Sequence, residues 1–515
     1  MRVACVGGGP GGLFLAALLR RDLPAADVVV FERNRADSTF GFGVVFSDAA
    51  AGAITAADPE LSARLAAASR HWDDIEVRVS GARERIGGMG MSAIVRTTLL
   101  DLLRDRAEEA GARLCFETEV RDARQLADFD LVVVCDGANS RFRRAFAADF
   151  GPSAHVAGTK FIWFGAARPF DCLTFVHEGA FAAHAYPISD EMSTFIVETD
   201  PATWAAAGLD GFDPATPPGP SDETAKAFLE DLFGCPLVGN NSRWGNFTTL
   251  RTRTWRRGNW VLLGDAAHTA HFSVGSGTRM AMEDAVALAA ELVGSPHDLP
   301  AALLAYERRR RPEVEKVQRS ARPSLSWWER FGTYADAFEP TQFGFHFLSR
   351  SITRERLRSR DGGYVDRVDR WWRDRHGAPP ARTPLRCGGL VFPGRHVEVS
   401  GDALVLPDGT AVALAPFDGR APGRGVWIDA PAVEADLPVA AGQVRAAAGE
   451  GVPLVGVRGG TPLTRVLVAE EARLAHSLPV VVAGEYDEDA ATTLLLSGRA
   501  DLVGVPPRTG GPDRA

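Results

Sequence analysis

The first residues that could do chemistry form a glycine-rich turn followed by an acidic side chain. Residues 7–12 read GGGPGG, with glycines at the three positions of a GxGxxG pattern. Such a turn lets the backbone approach a pyrophosphate and aims the N-terminus of a helix at it. An acidic residue about 20 positions further on can hydrogen-bond the ribose of an adenosine. The pattern predicts a dinucleotide site without deciding between NAD and FAD. Its candidate cofactor residues are Gly7, Gly9, Gly12, Glu32 and Arg33.

Three further segments carry groups that suit the same ligand. Arg96 stands where an apolar strand gives way to a helix, and arginine is a preferred partner of phosphate groups. A solvated arginine is the alternative interpretation. An Asp-Gly turn that begins at Asp136 follows one apolar run, and a Gly-Asp pair, Gly264 and Asp265, follows another. Each of these turns is common when taken alone.

A second glycine-rich turn precedes the clearest helix of the chain. Gly275, Gly277 and Thr278 lead into a helix that we expect to end near residue 293. The N-terminus of a helix carries about half a positive charge, so this turn favours a negatively charged group in front of it. His268 and His271 have HxxH spacing, but no carboxylate completes an HExxH pattern and the pair lies in an expected loop. We therefore expect no metal site.

The elements that must position these residues follow from the apolar pattern. Continuous apolar runs at 131–134 and 260–263 predict buried parallel strands. Between residues 156 and 200 the pattern alternates without intervening helices, which predicts an antiparallel sheet. The chain is therefore expected to be an α/β protein with an interrupted dinucleotide-binding domain. The expected segments are 1–155 for the first part of that domain, 156–255 for the antiparallel substrate domain, 256–384 for the return of the first domain with a helical segment, and 385–515 for a small α/β tail.

The composition bounds the class of protein. Of the 515 residues, 45% are hydrophobic and 24% are charged, which is ordinary for a soluble globular chain. A net charge of −9 argues against a nucleic-acid partner. No apolar stretch reaches membrane-spanning length without Gly, Pro or charge, so we expect no membrane segment. The six cysteines show no CxxC spacing and fit a reducing cytoplasm. The oligomeric state is left open.

The three separated signatures together resemble the FAD fingerprints of the para-hydroxybenzoate-hydroxylase-like flavoprotein monooxygenases. The resemblance covers about residues 1–384 and implies a Rossmann-like FAD domain of the GR2 type. It implies that Asp265 binds the ribityl chain of FAD and that Arg96 lies near the pyrophosphate. The Asp136 turn would serve both FAD and NAD(P)H. The interposed antiparallel sheet would cover the isoalloxazine and form the substrate pocket.

A narrower resemblance concerns the substrate. Segments 42–48 (FGVVFSD), 271–278 (HFSVGSGT) and 324–329 (SLSWWE) are similar to the salicylyl-CoA 5-hydroxylase and anthraniloyl-CoA hydroxylase group. Where many relatives carry Pro after the Gly-Asp motif, this chain has Phe272, and where many carry Asn it has Arg279. Both departures agree with the CoA-ester group and argue against a simple phenol hydroxylase.

The C-terminal tail carries a separate resemblance. Segment 383–395 (TPLRCGGLVFPGR) is similar to the start of an Old-Yellow-Enzyme-like barrel, and segment 478–503 is similar to its end. Only about 130 residues are available, whereas a full (β/α)₈ barrel needs roughly 250. The middle, where that family keeps its His pair and Tyr proton donor, is missing. We expect a truncated remnant without reductase activity.

The resemblance implies an FAD-dependent aromatic hydroxylase. NAD(P)H would reduce the flavin, and O₂ would add to form a C4a-hydroperoxide that transfers OH to position 5 of an aryl-CoA thioester such as salicylyl-CoA or anthraniloyl-CoA. His184 could be the base for a phenol because imidazole titrates near neutrality. A buried structural histidine is the alternative, and an aniline ring would need no base. The substrate-facing candidates are Phe46, Ser47, His184 and Tyr186.

An arginine-rich segment between residues 308 and 360 could bind the phosphates of CoA, with Arg354 and Arg358 as first candidates. The alternative is a set of surface ion pairs, each worth about 0–1 kcal/mol. Two other functions stay open at this point. One is an FAD hydroxylase of a free aromatic acid or of tryptophan or another indole, which would have no use for these arginines. The other is a flavin-binding protein without catalysis.

Overall fold

The structure is a computed structural model that describes residues 1–39, 41–47, 52–213, 215–419 and 425–507. Asp48, the last residue of segment 42–48, lies outside the described residues. Contacts divide the chain into two compact units, residues 1–331 and 332–515. Each unit is described by itself.

The first unit contains a parallel sheet, a larger antiparallel sheet and a small third sheet. Its strands are β1 (Arg2–Val6), β2 (Asp27–Phe31), β3 (Gly43–Ser47), β4 (Arg70–Trp72), β5 (Ile75–Val79), β6 (Ala82–Ile86), β7 (Met91–Val95), β8 (Arg113–Cys115), β9 (Leu131–Val134), β10 (Pro152–Ala166), β11 (Leu173–Glu178), β12 (Phe181–Pro187), β13 (Ser193–Thr199), β14 (Leu237–Val238), β15 (Gly245–Thr252), β16 (Arg256–Arg257) and β17 (Trp260–Leu262). Its helices are α1 (Pro10–Asp22), α2 (Gly52–Ala57), α3 (Pro59–Ala67), α4 (Arg96–Glu109), α5 (Arg141–Ala145), α6 (Ala147–Phe150), α7 (Pro201–Ala206), α8 (Glu223–Phe233), α9 (Gly277–Gly294) and α10 (Leu299–Trp328).

The nucleotide-type sheet has the strand order β16-β17-β9-β1-β2-β8. All pairs are parallel except β16 with β17. Its central strands are buried along nearly their whole length, as expected for parallel strands covered on both faces. Helix α1 packs against α9 and α4, and these elements share one hydrophobic core. The parallel sheet predicted from the apolar runs is therefore present.

The second sheet has the order β14-β10-β13-β12-β11-β5-β6, with β15 also paired to β10. It is antiparallel except where β11 runs parallel to β5. Strands β5 and β6 come from residues 75–86, ahead of the predicted segment 156–255. The predicted boundaries were therefore incomplete, because the two extra strands join the sheet through a pairing with β11 that no local pattern announces.

The second unit is built on a different sheet. Its helices are α11 (Phe331–Ala337), which begins at the last residue of the first unit, α12 (Pro340–Leu348), α13 (Arg354–Arg358), α14 (Gly362–His376), α15 (Leu437–Gly449), α16 (Pro462–Glu470) and α17 (Glu488–Leu496). Its strands are β18 (Leu385–Cys387), β19 (Leu390–Phe392), β20 (His396–Ser400), β21 (Ala403–Val405), β22 (Ala411–Ala413), β23 (Ala415–Pro416), β24 (Val426–Ala430), β25 (Val455–Gly459), β26 (Val480–Ala483) and β27 (Leu502–Val505).

This sheet closes on itself. Its strand order is β22-β21-β20-β27-β26-β25-β24-β23, and the strands from β20 to β23 are parallel. The two strands at the ends of that order, β22 and β23, are separated in the chain by Leu414 alone. Because one continuous segment pairs with β21 on one side and β24 on the other, the sheet must curve into a small barrel.

The barrel interior is filled by side chains. Trp427, Val481 and Leu502 belong to one buried cluster, whereas their neighbours Ile428, Val482 and Val503 belong to another that includes α15, α16 and α17. This alternation places one set inside the barrel and the other under the helices. A side chain at residue 456 would lie 2.3 Å from the Trp427 ring, so only glycine fits there. The shortened-barrel interpretation agrees with this architecture, although its descent from an Old-Yellow-Enzyme-like barrel stays a prediction.

The boundary between the units differs from the predicted one. We predicted that residues up to about 384 belong with the first domain, but helices α11 to α14 lie in the second unit. The Tyr334 hydroxyl donates to Glu470 at 2.6 Å, and Nε2 of His346 lies 3.1 Å from the same carboxylate. Buried polar contacts with α16 therefore tie these helices to the barrel.

A search of the described helices for one long and apolar enough to cross a membrane found none.

Candidate functional site

The glycine-rich turn between β1 and α1 has the shape that a phosphate cradle needs. Gly7 has φ +121°, and a Cβ at this position would lie 2.2 Å from the carbonyl oxygen of Cys135. A Cβ at Gly12 would lie 2.3 Å from the carbonyl oxygen of Gly7. Gly9 has open space around its Cβ position and caps α1 without a side-chain hydrogen bond. The first N–H groups of α1 are therefore available to an anion.

Glu32 is held beside this turn. Its Oε2 accepts a hydrogen bond from the Gly8 amide at 2.7 Å, and its Oε1 accepts two from Asn34 at 2.8 Å. A carboxylate has about four acceptor positions, so Glu32 keeps capacity for a ribose hydroxyl. The turn and Glu32 border a cavity of about 310 Å³. Six of the predicted cofactor residues line this cavity: Gly7, Gly9, Glu32, Arg33, Arg96 and Asp136.

Asp136 contributes an unused acceptor to the cavity. Its Oδ2 accepts from the Arg141 amide at 2.9 Å, whereas its Oδ1 is buried and has no hydrogen-bond partner among the described residues. Burial raises the pKa of this carboxyl above its ordinary value. A buried acceptor without a partner costs free energy, so a donor from a bound molecule would stabilise this position.

Arg96 connects the cavity to the Gly-Asp motif. Its Nε donates to the Thr39 hydroxyl at 3.0 Å. Burial lowers the pKa of Arg96, while the negative charge of Asp265 opposes that effect. Burial raises the pKa of Asp265, and the positive charges of His268 and Arg96 oppose that rise. Arg96 and Asp265, from distant segments, are therefore close enough for their charges to act on each other.

The loop that carries Asp265 is supported by a buried carboxylate that sequence reasoning missed. Asp284 on α9 accepts from the Gly264 amide at 3.1 Å and lies 2.7 Å from Nε2 of His268. Its other oxygen accepts from Arg310 on α10 at 2.8 Å. Burial alone would raise the pKa of Asp284, but His268 and Arg310 hold it below its ordinary value. The basic run at 308–311 indicated that Arg310 would need an acidic partner, but the sequence did not identify Asp284 as that partner.

The second glycine turn also leaves a helix N-terminus free. Gly275 has φ +58°, and a Cβ there would lie 2.9 Å from the Val45 side chain on β3. Helix α9 begins at Gly277, and Ser276 caps it without a side-chain hydrogen bond. The hydroxyl of Ser276 is buried and has no partner among the described residues. The N-terminus of α9, with Thr278 in its first turn, therefore lies next to β3 with unused donors.

One face of the antiparallel sheet is aromatic and polar. Strand pairing places His184 opposite Ile196 and Phe175, so Glu198, two residues beyond Ile196, shares that face. Residues of the other face pack against α8. Nε2 of His184 lies 2.7 Å from Oε1 of Glu198, and the Trp328 ring centre lies 4.1 Å from that of His184. Sequence reasoning did not single out Glu198, because only the strand register brings it to His184.

The other predicted substrate residues are placed differently. Tyr186 is buried on the same face as His184, and its hydroxyl donates to the Gly43 carbonyl at 3.2 Å. Burial raises the pKa of Tyr186 to about 12. Phe46 packs against the core of the parallel sheet, whereas its neighbour Val45 packs with Tyr186. Phe46 and Tyr186 therefore belong to different hydrophobic clusters, and a contact of Phe46 with the substrate stays a prediction. Ser47 is half-buried at the end of β3.

Arg354 and Arg358 lie in the second unit, on α13. Both guanidinium groups bind Asp369 on α14, and Arg358 also lies 2.7 Å from Asp366. Both arginines also pair with Glu355 on their own helix. The ion pairs that we named as the alternative are therefore present. Their contact with a CoA phosphate stays a prediction.

Comparison with known proteins identifies the family. The model of the FAD binding domain family matches residues 1–321. This chain belongs to that family. It is 66% identical over 514 residues to salicyloyl-CoA 5-hydroxylase from a Streptomyces species, covering 98% of this chain and 99% of that protein. It is 40% identical over 334 residues to 3-hydroxy-4-methyl-anthranilyl-[aryl-carrier protein] 5-monooxygenase from Streptosporangium sibiricum, covering 64% and 90% of the two chains.

Solved structures give the same fold. A crystal structure of a variant of 2-methyl-3-hydroxypyridine-5-carboxylic acid oxygenase matches with a TM-score of 0.52 at 20% identity, covering 68% of this chain and 96% of that one. The family assignment, the α/β fold and the FAD cofactor predicted from the sequence are thereby confirmed. The protein is an FAD-dependent monooxygenase of the para-hydroxybenzoate-hydroxylase-like family.

The residues of the site fit FAD. The open side of Gly9 and the free start of α1 suit the pyrophosphate, and Glu32 suits the ribose. Asp136 offers a buried acceptor, and the charge of Asp265 acts on Arg96, which borders the cavity. The uncapped start of α9 would stabilise negative charge on the reduced flavin ring. These individual contacts remain predictions, each resting on the geometry of this chain.

Proposed function

We propose that this protein hydroxylates the ring of an aryl-CoA thioester, such as salicyloyl-CoA or anthraniloyl-CoA, at position 5. The observation that carries the proposal is the 66% identity to salicyloyl-CoA 5-hydroxylase over almost the full length of both chains. The reaction consumes the aromatic substrate, NAD(P)H, a proton and O₂, and it releases the hydroxylated product, NAD(P)⁺ and water. We place it in the cytoplasm, because its six cysteines are free thiols.

The chain supplies the surroundings of the reaction. FAD, when bound, provides the activated oxygen. The aromatic face formed by Phe175, His184 and Trp328 is buried, which supports its role as the wall that keeps water from the reacting ring. Position 5 of the ring is para to the substituent at position 2. Removing the proton of a 2-hydroxyl group raises the electron density at the attacked carbon, and His184 is the proposed acceptor of that proton.

The decisive experiment compares the thioester with its free acid. Purified enzyme with FAD and NAD(P)H should convert salicyloyl-CoA to its 5-hydroxy product, with much slower conversion of salicylate at equal concentration. Product formation is measured by chromatography and mass spectrometry, because NAD(P)H oxidation alone also reports uncoupled turnover. Equal rates with both compounds would contradict the CoA-ester assignment and favour a hydroxylase of free aromatic acids.

The same assay tests the proposed phosphate contacts of Arg354 and Arg358. A guanidinium group carries five donors, so an arginine bound to Asp369 retains donors for a phosphate. Arg358→Gln should raise KM for salicyloyl-CoA with little change in kcat, because it removes binding rather than chemistry. Arg370→Gln, an exposed position on α14 outside the arginine-rich segment, is the matched control. If the two variants have the same KM, the arginines serve only as ion-pair partners.

A further inference from the structure

Two buried histidines meet a single buried carboxylate on the aromatic sheet face. Glu198 is 1% exposed, His184 is 4% exposed and His271 is 2% exposed. Oε1 of Glu198 lies 2.7 Å from Nε2 of His184, and Oε2 lies 3.7 Å from Nε2 of His271. Both distances are ion-pair distances, and neither Glu198 oxygen has a hydrogen-bond partner of suitable geometry among the described residues. Each oxygen of the carboxylate therefore faces a different imidazole.

The three groups are fixed by three separate elements. His184 and Glu198 stand on the neighbouring strands β12 and β13. His271 lies in the loop that joins the Gly-Asp motif to α9, and its Nδ1 is 2.8 Å from the Ser273 hydroxyl. The Ser273 hydroxyl is in turn 2.8 Å from the hydroxyl of Ser324 on α10. The ring of His271 is therefore oriented from its far side, which leaves Nε2 directed toward Glu198.

Other titratable groups surround this cluster. Glu329, at the end of α10, acts on Glu198 as a like charge. His177 on β11 and Tyr186 on β12 flank His184 on the same sheet face. Lys160 on β10 is turned away and packs over the ring of Trp204. Among the described residues, the cationic groups within ion-pair distance of Glu198 are His184 and His271, when protonated.

We propose that Glu198 is the positioning residue that makes His184 a base for the 2-hydroxyl group of the substrate, and that His271 holds Glu198 ready for this role. The inference rests on the proposed function. His184 accepts the phenolic proton at Nδ1, and the Glu198 carboxylate, 2.7 Å from Nε2, stabilises the positive charge that forms on the imidazole. The phenolate that forms directs the activated oxygen to the para carbon, which is position 5. After the product leaves, His184 releases the proton to solvent and becomes neutral again.

The groups around Glu198 set the pH at which its carboxylate can stabilise a positive charge on His184. Burial raises the pKa of Glu198, His271 opposes this and Glu329 adds to it, and the net result is a pKa of about 7. Below that pH the carboxyl gains a proton and can no longer support a positive charge on His184. Hydroxylation of a phenol should therefore rise with pH through about 7 and then level off.

The test uses Glu198→Gln in the full-length FAD enzyme with two thioesters. Salicyloyl-CoA carries a phenol, whereas anthraniloyl-CoA carries an amine that needs no base. We expect kcat for salicyloyl-CoA to fall about a hundredfold or more, because His184 without a neighbouring carboxylate would be a poor general base. The rise of kcat near pH 7 should also disappear. The rate with anthraniloyl-CoA should be nearly unchanged. Glu198→Asp should recover part of the rate, and Glu178→Gln, an exposed position on β11, is the matched control.

Binding without turnover gives a second measurement. Difference absorption of bound salicyloyl-CoA, recorded without NAD(P)H, reports the fraction present as phenolate at each pH. The variant should need a higher pH than the wild type to ionise the bound phenol. If Glu198→Gln fails to fold or to retain FAD, His184→Gln is used instead. The same results are expected for it, because it also removes one member of the His184–Glu198 pair.

The outcomes separate this inference from the proposed function. If the wild type converts neither thioester, the proposed function is wrong and the inference falls with it. If the wild type converts salicyloyl-CoA but Glu198→Gln keeps its rate and pH profile, only the inference is wrong. An equal loss with both thioesters at normal FAD content also overturns it, since the carboxylate would then serve only the shape of the pocket.

Discussion

Single carboxylates have distinct roles in this site because their surroundings differ. Asp284 is surrounded by His268, Arg310 and the Gly264 amide, so it stays charged and fixes the Gly-Asp loop. Glu198 is also buried but faces only histidines as cations, so its pKa rises to about 7. Asp265 is exposed, and its charge acts on Arg96. The same chemical group therefore has a different charge state and different partners according to its neighbours, which agrees with the separate roles that we propose.

Asp265 should matter for cofactor affinity more than for folding. Asp265→Ala removes an acceptor that FAD would use, and loss of a hydrogen bond to a charged group costs about 1.5–3 kcal/mol, or roughly ten- to a hundredfold in Kd. The measurement is a fluorescence titration of the apoprotein with FAD. Asp210→Ala, at an exposed position remote in sequence, is the control. Unchanged FAD affinity in Asp265→Ala would show that the Gly-Asp motif does not contact the cofactor.

At the scale of elements, close approach and strand closure decide which residues are allowed. The turn between β1 and α1 works because two glycines let the chain fold back on itself, while a third leaves room for a ligand. In the second unit, Leu414 joins the two end strands of the sheet and thereby closes the barrel. Both features require backbone segments to come close together, so few types of side chain fit at these positions.

Two substitutions in the glycine turn should separate folding from binding. Gly12→Ala places a methyl group 2.3 Å from the Gly7 carbonyl oxygen, so we expect a loss of about 1–3 kcal/mol in the free energy of unfolding of the apoprotein. Gly9→Ala has no neighbour within 4 Å and φ −78°, so its stability should stay close to that of the wild type. Because Gly9 lines the cavity, this variant should bind FAD more weakly.

Thermal unfolding of the FAD-free proteins and FAD titration give the two readouts. Equal stability of the two apoproteins would mean that the backbone relaxes around residue 12. Unchanged FAD affinity in Gly9→Ala would place the pyrophosphate elsewhere.

At the scale of the molecule, the chain consists of two units with different buried polar networks. In the first unit these networks surround the cofactor and substrate regions. In the second unit, Glu470 binds Tyr334 and His346 and thereby joins the helices after residue 331 to the barrel. Burial and the positive charge of Arg499 lower the pKa of His346, Glu470 opposes them, and the net result is a pKa of about 4. This histidine is therefore neutral in the folded unit at pH 7.

The second unit should lose stability in mild acid. A histidine in the unfolded chain has a pKa of about 6.5, so the unfolded state binds a proton before the folded state does as the pH falls. Stability is therefore lost between about pH 6.5 and 4, by about 2 kcal/mol from pH 7 to pH 5. His346→Gln keeps an N–H donor for Glu470 but cannot titrate, so its stability should change less.

Urea unfolding of the wild type and the variant at pH 7 and pH 5 checks this prediction. Unfolding of the second unit is followed by hydrogen exchange in peptides from residues 332–507, and the exchange rates are corrected for their intrinsic dependence on pH. The same pH dependence in the wild type and in His346→Gln would assign the acid sensitivity to another group.

Much of the cofactor site could be predicted because its signals are local. The turn at residues 7–12, the acid at Glu32 and the apolar strands act within short stretches of chain, where steric demands and strand burial act directly. The tail could be recognised only by its two ends. The boundary at residue 331 and the entry of β5 and β6 into the antiparallel sheet were not predictable, since both depend on contacts between segments far apart in sequence.

The sequence by itself determined that this chain binds a dinucleotide and, through its resemblance, that it is a flavoprotein hydroxylase. Only the tertiary structure decided which polar groups meet. Glu198 reaches His184 because the register of β12 and β13 puts both on one face, and Asp284 reaches the Gly-Asp loop because α9 packs beside it. Strand register and helix packing follow from the summed burial of many side chains, whereas a motif records only the few residues that approach the ligand.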